Sequence, residues 1–172
     1  NKLQLCEFTG DIGLDMYIYE AIPSNNLVDV SDLYANTQVV DVLATDGTTV
    51  SHIGSFTTNS ASKIDISAHA GNGYTHVYVG KKFTAKLVTN AIDVNAANGA
   101  VSGDVRGISS VVLDVKNTRS IKVNGSNFSS LAGFNGKKEI RVLGYSRDPQ
   151  VTIEQNDPLP FQVNGLIAEL II

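Results

Sequence analysis

The sequence predicts an all-β protein, an antiparallel β-sandwich or barrel, built as one domain or as two small β lobes. Three observations point there. Apolar and polar residues alternate with the two-residue period of strands through most of the chain, and almost nowhere with the period of a helix. Charged residues make up 17% of the 172, against roughly 25% in an average domain, and Asn, Ser, Thr and 15 glycines take their place. Asp46-Gly47 and Asn72-Gly73 are turn dipeptides flanked by β-branched runs.

Taken in order, "LQLCEF" and "LDMYIYE" alternate on either side of "TGDIG", so residues 2–20 read as a hairpin. "AIPSNN" is a loop. "LVDVSDLYANT" admits two readings: a short helical turn capped by Ser31 and holding Leu33 and Tyr34, or an extended segment. "QVVDVLATDGTTVSHIGSF" is a hairpin about a type I′ turn at Asp46-Gly47, and "KIDISAHAGNGYTHVYVG" repeats that logic near Asn72-Gly73. "KFTAKLVTNAIDV" is a strand running into a polar excursion. The small-residue loop "NAANGAVSGDVRG" and the change in character near it suggest lobes over 1–80 and 81–172. "ISSVVLDVKNTRSIKVNG" reads as two strands about Asn117-Thr118, and "SNFSSLAGFNGKKE" as a loop. "IRVLGYS", "QVTIEQ" and "FQVNGLIAELII" close the chain in strand.

A 42% apolar share is enough to build a core. No run approaches the ~18 apolar residues of a membrane helix, and no basic-then-apolar leader pattern opens the chain. It begins at Asn1, as a processed product or a piece of a longer protein would. The net charge of −4 conceals a polarity: residues 1–80 carry nine acids against Lys2 and Lys63 (2 − 9 = −7), whereas 81–172 carry +3 (11 − 8). That asymmetry can orient a subunit against its neighbours, but it is far from the basic balance of a nucleic-acid binder.

Residues that could carry chemistry are scattered. Cys6 is the one cysteine, which rules out an intrachain disulfide, and its alternation with Glu7 suits a small buried hydrophobe. His52, His69 and His76 lack zinc spacing, although His69 and His76 could meet across a hairpin; structural packing is the simpler reading. Asp11 and Asp15 share one turn without the ligand series of a calcium loop. No Gly-x-Ser-x-Gly elbow or phosphate cradle occurs. Tyr17, Tyr19, Tyr74 and Tyr78 are spaced for single sheet faces and read as core or interface tyrosines rather than a stacking platform. Arg106, Lys116, Arg119, Lys122, Lys137, Lys138, Arg141 and Arg147 read as solvated strand faces and loop ends. No catalytic, cofactor-binding or metal residue is assigned, and no enzyme constellation emerges.

The closing stretch says more. Pro158 and Pro160 bracket Leu159, so "NDPLP" is a stiff corner. The strand after it is apolar on both sides at "GLIAELII", and so is expected to lie between layers or to pair with another chain. Val79-Gly80, Arg106, Val123, Val151-Thr152-Ile153, Pro158-Leu159-Pro160, Val163 and Glu169 stand in the order of a recurring pattern. Through them the chain resembles the C-terminal region of tail nozzle proteins of short-tailed bacteriophages, the tail tubular protein B type. The "LQLCEFTGDIGLDMYIYEA" stretch is similar to that family's upstream strand pair. "GDVRG" departs from the family's more basic Gly-Arg-Lys-Lys, and the family's members are several times longer.

The resemblance implies a structural virion protein of the phage tail: part of a homo-oligomeric ring, hexameric in the family, that conducts DNA during ejection without sequence-specific binding. Adaptor and fibre proteins would be its neighbours. Because each Lys or Arg contact would add a salt-dependent attraction for phosphate, the acidic first half is then expected to contribute more to the channel wall than the basic strands do. Related tail hub and packaged-DNA stabilisation proteins share the closing pattern. A reading from another class is a carbohydrate- or receptor-binding β-sandwich module, which the tyrosines and Asn/Gly-rich loops would serve.

Overall fold

A computed structural model describes residues 12–92, 95–96, 99–100, 105–142, 144–155 and 157–171. The chain divides into two compact units. Unit 1 comprises the described residues up to Phe83 together with Asp157–Leu159, and unit 2 the described residues from Thr84 to Gln155 and from Pro160 onward.

Unit 1 contains β1 (Leu14–Ala21), β2 (Leu27–Asp29), β3 (Val39–Thr45), β4 (Val50–Thr57), β5 (Lys63–Asp65), a 3₁₀ helix (Ser67–Asn72) and β6 (His76–Lys82). Four strands form an antiparallel sheet in the order β1-β6-β3-β4, and β2 pairs with β5 beside it. The core takes alternate residues of each strand, as a half-buried sheet requires: Val40, Val42 and Ala44 from β3, Val77 and Val79 from β6. Val28, Val30, Ile64 and Ile66 from the β2–β5 layer pack against them. Each such side chain contributes about 1.5–3 kcal/mol by leaving water. Gly80 permits a close approach: a Cβ there would lie 2.9 Å from the Tyr17 Cβ and 3.0 Å from the Asp15 carbonyl oxygen.

Unit 2 contains β7 (Lys86–Val88), β8 (Asn95–Ala96), β9 (Gly99–Ala100), β10 (Arg106–Val123), β11 (Ser126–Arg141), β12 (Tyr145–Ser146), β13 (Thr152–Glu154) and β14 (Val163–Ile171). The 18-residue β10 is the spine. It pairs with β11 over Ser110–Val123, with β12 at Arg106 and Gly107, with β14 over Gly107–Val115, and with β13 at Lys122 and Val123. The last strand at one end is β7, on β13, while β8 and β9 form a separate pair. Ile108, Val111, Leu113, Val115, Ile121 and Val123 of β10 form a core with Ile140, Val142, Val151 and Ile153. The β10–β11 tip is tied down by Asn124, whose Oδ1 accepts the Thr152 amide at 2.6 Å while its Nδ2 donates to the Gln150 carbonyl at 3.2 Å.

The protein is all-β, its sheets are antiparallel as expected, and no sheet closes into a barrel among the described residues. Several local expectations change. β1 pairs with β6, and the strand expected before it, with Cys6 and Asp11, lies outside the described residues. The β3–β4 hairpin stands where Asp46-Gly47 placed it, but Thr45 opposes Val50, so the turn has four residues rather than two. There the Asp46 carboxylate accepts the Thr48 and Thr49 amides at 2.8 and 2.7 Å.

"KIDISAHAGNGYTHVYVG" is no hairpin: β5 pairs with β2, a 3₁₀ helix ends at Gly73 in the left-handed region, and β6 joins the larger sheet. "ISSVVLDVKNTRSIKVNG" is one strand, not two; it passes Asn117 at φ +45° with a register shift beside it. The segment read as the loop "SNFSSLAGFNGKKE" is most of β11. Its Ser, Asn and Gly residues have weak strand preference, but β10 supplies backbone partners to Ser126–Ser129, Phe134 and Gly136–Arg141, and pairing overrides propensity. Most of the small-residue loop near residue 100 lies outside the described residues.

Candidate functional site

The face of unit 1's large sheet turned away from its core collects the chemistry. Val77 and Val79 point into the core, so His76 and Tyr78 of β6 point out, joined by Tyr17 and Tyr19 of β1. The rings form a ladder. Tyr19 stacks on His76 at 4.9 Å and 7°, meets Tyr78 at 4.5 Å, and Tyr78 meets Tyr17 edge-on at 5.8 Å. Burial, and then the neighbouring Tyr19 and Tyr17, push the Tyr78 phenol above its ordinary pKa. The ring faces are occupied by one another, which suits cross-strand packing better than a sugar or base platform. Tyr74 is elsewhere, packed against the core.

Across β3 the face turns polar. Asp41, 6% exposed, is the one charge in the apolar run of β3. Its Oδ1 accepts the Ser55 hydroxyl at 2.8 Å, lies 3.3 Å from His52 Nε2 and 3.6 Å from Lys82 Nζ. The other ring nitrogen of His52 lies 3.5 Å from Asp157 Oδ1. Asp157–Leu159 of the proline corner are thus part of this unit, held also by the Gly13 amide donating to the Pro158 carbonyl at 3.0 Å. Ser55 donates to Asp41, so its hydroxyl is not paired with the histidine as a nucleophile needs. The cluster does what a buried carboxylate requires: it surrounds Asp41 with donors and pins the corner.

His69 and His76 are not brought together; His69 packs edge-on against Phe56, 6.1 Å away, on the core side. Asp15 accepts the Met16 amide at 2.9 Å, where β1 bulges. No group of three His, Cys, Asp or Glu side chains could hold a metal ion among the described residues. The basic set divides. Lys116, Lys137, Arg141 and Arg147 are exposed, and Lys138 lies over the Phe128 ring at 5.1 Å. Arg106 and Arg119 are buried, at 2% and 9% exposure, which corrects their reading as solvated residues. Arg106 donates to the carbonyls of Ile92 and Arg147 at 3.1 and 3.2 Å, and Arg119 to that of Leu131. A guanidinium carries five donors, so it can staple loops that offer only carbonyls. No pattern in the sequence separates these two arginines from their exposed neighbours.

In unit 2 the notable surface is β14. Leu166, Ala168 and Leu170 face the core, while Ile167 and Ile171 are 58% and 43% exposed. Among the described residues β14 pairs with β10 alone, leaving its other edge open. Ser110 donates to the Glu169 carboxylate at 2.8 Å across that ladder. Tyr145, 69% exposed, lies over Gly107 on the same face as Ile171, since both oppose Gly107 from its two sides. Among the described residues no helix is long and apolar enough to cross a membrane. Compared with known proteins, the chain matches no family model and no curated protein.

Proposed function

We propose that the chain is a structural subunit of a phage-type tail nozzle, assembling into a ring in the virion tail through which DNA passes. The observation that carries this reading is β14. It is a nine-residue edge strand with exposed isoleucines and neither proline nor lysine, two of the protections by which proteins blunt an edge; its one charge is Glu169. Such an edge suits pairing with a neighbouring subunit. The closing pattern around Pro158-Leu159-Pro160, by which the sequence resembles tail nozzle proteins, supports the same reading. Adaptor and fibre proteins are its other partners, and the reading assigns the chain no catalysis.

Within such a ring the acidic unit 1 side forms more of the channel wall than the lysines of β10, because cations along a lumen would hold phosphate in a salt-dependent grip. Cryo-electron microscopy of the assembled protein tests both statements. The expected image is a ring with an axial channel and with β14 at the subunit boundary. A channel lined by Lys116 and Lys122 would refute the wall assignment. Particles in which β14 faces solvent all around would refute the nozzle reading.

A further inference from the structure

Unit 1 contains the same motif twice. Across β2 and β5, Leu27 pairs with Asp65 and Asp29 with Lys63, on either side of the pair Val28–Ile64. A shift of 36 residues (64 − 28) carries Leu27 onto Lys63 and Asp29 onto Asp65, so the ladder maps onto itself. The flanking bonds obey the same shift: the Val30 amide donates to the Ser62 carbonyl and the Ile66 amide to the Asn26 carbonyl, both at 3.0 Å. Asn26 and Ser62 both sit at φ +55°.

One extra residue then enters, and a shift of 37 (79 − 42) carries β3 onto β6 about the central pair Val42–Val79. The outer strands follow. Ala21–His76 matches Thr57–Val39, Tyr19–Tyr78 matches Ser55–Asp41, and Leu14–Lys82 matches Val50–Thr45. Even the bulge recurs, with one surplus residue between Asp15 and Ile18 on β1 and one between His52 and Gly54 on β4.

The sequence agrees where the halves are buried or turn: Val28-Asp29-Val30-Ser31 with Ile64-Asp65-Ile66-Ser67, Val40 with Val77, Val42 with Val79. Asp29 and Asp65 each accept the amide of the serine two residues on, at 3.0 and 2.9 Å. The halves differ on the outer face, where the first carries Tyr19 and Asp41 and the second Ser55 and Tyr78 at the matching positions. Moreover, among the described residues no strand pairs within its own half: β1 and β3 pair with β6, β3 with β4, and β2 with β5. A half alone has no sheet to fold into.

We infer that unit 1 is a tandem duplication of one three-strand motif, an intramolecular dimer in which each half is a pairing surface for a copy of itself. The partner that surface fits is a second copy of this chain, with halves exchanged through the Asp46–Thr49 turn. The inference is independent of the nozzle reading.

The test replaces Asp29 and Lys63, which face each other across β2 and β5, with cysteines in a Cys6→Ser background. Facing positions of an antiparallel pair are within disulfide reach. With the native turn the disulfide closes within one chain, and a denaturing, non-reducing gel shows the monomer. Deleting Asp46–Thr49 joins Thr45 to Val50 and leaves nothing to turn through, so the same disulfide is expected between two chains. A gel reads disulfide connectivity, which ring assembly does not alter. A deleted chain that still closes the bond internally overturns the inference.

A companion measurement covers a deleted chain that fails to fold. The full chain is nicked at a protease site inserted in the turn, as unlabelled and ¹⁵N-labelled batches, then mixed, unfolded and refolded. Native mass spectra are expected to show hybrids of light and heavy halves, and their absence also overturns the inference.

Discussion

Gly80→Ala should destabilise unit 1, because β6 and β1 touch there with no room for a methyl group. The added Cβ would lie 2.9 Å from the Tyr17 Cβ, 3.0 Å from the Asp15 carbonyl oxygen and 3.0 Å from the Leu14 Cβ. Carbon atoms rest about 3.5–4.0 Å apart, so β1 must retreat by roughly half an ångström or more. None of the three atoms is the tip of a flexible side chain that could swing away. Overpacking of this kind costs about 1–3 kcal/mol, offset by the ~0.5–1 kcal/mol that alanine gains over glycine in a strand. The difference spans about 0–2.5 kcal/mol and centres on a net loss of about 1 kcal/mol, which is roughly 4–8 °C in Tm for a unit of this size. With six tyrosines and no tryptophan, urea unfolding followed by tyrosine fluorescence and circular dichroism reads the change. Gly71→Ala is the control, since a Cβ there meets nothing within 4 Å. If Gly80→Ala is as stable as Gly71→Ala, the close approach of β1 to β6 is wrong.

Three further outcomes follow from the same geometry. Arg106→Met keeps the buried stem but leaves the Ile92 and Arg147 carbonyls short of a donor. Charged hydrogen bonds contribute about 1.5–3 kcal/mol, so thermal unfolding of unit 2 should show a loss of at least that order. Tyr34, buried and donating to the Met16 carbonyl, has its phenol pushed up to about 12 by burial and then by the charge of Asp15. The fold therefore favours the neutral phenol: the contribution is complete below pH 10 and is lost as pH rises towards 12. Tyr34→Phe should flatten that alkaline decline while costing about 1–3 kcal/mol at neutral pH, for the carbonyl left without its donor. At the acid end, Asp29 and Asp65 are held below the usual carboxylate range by Ser31 and Ser67, Asp46 by the Thr49 and Thr48 amides, and Glu154 by Lys86. Their stabilisation is complete above the ordinary carboxylate values near 4 and is lost as pH falls through the depressed ones. Tm measured from pH 7 to pH 2 should fall less for the chain with all four made amides.

The all-β class and the β3–β4 hairpin were legible because they rest on local pattern: alternation in "VVDVLAT" and a turn at Asp46-Gly47. β11 was not, because Ser, Asn and Gly become strand only when a partner such as β10 offers its backbone. Arg106 and Arg119 were misread for a related reason, since burial of a charge depends on which carbonyls the fold brings to it. The polar cluster was half visible. Asp41 stands out as a lone acid in an apolar run, but the convergence of His52, Ser55, Lys82 and Asp157 needs 116 residues of separation (157 − 41) to be closed by the fold. The repeat in unit 1 shows in sequence as "VDVS" and "IDIS", too short to register until the strand pairings align it.

Native mass spectrometry at physiological salt, comparing the wild-type protein with Ile167→Lys/Ile171→Lys, tests most directly whether β14 is a contact between subunits. Lysines on an edge strand repel and solvate it while leaving the core face of β14 intact. The account predicts a closed ring for the wild type and separate chains of about 18.3 kDa, still folded, for the double variant. A wild-type protein that is monodisperse at one chain, or a double variant that assembles as well as the wild type, would contradict it.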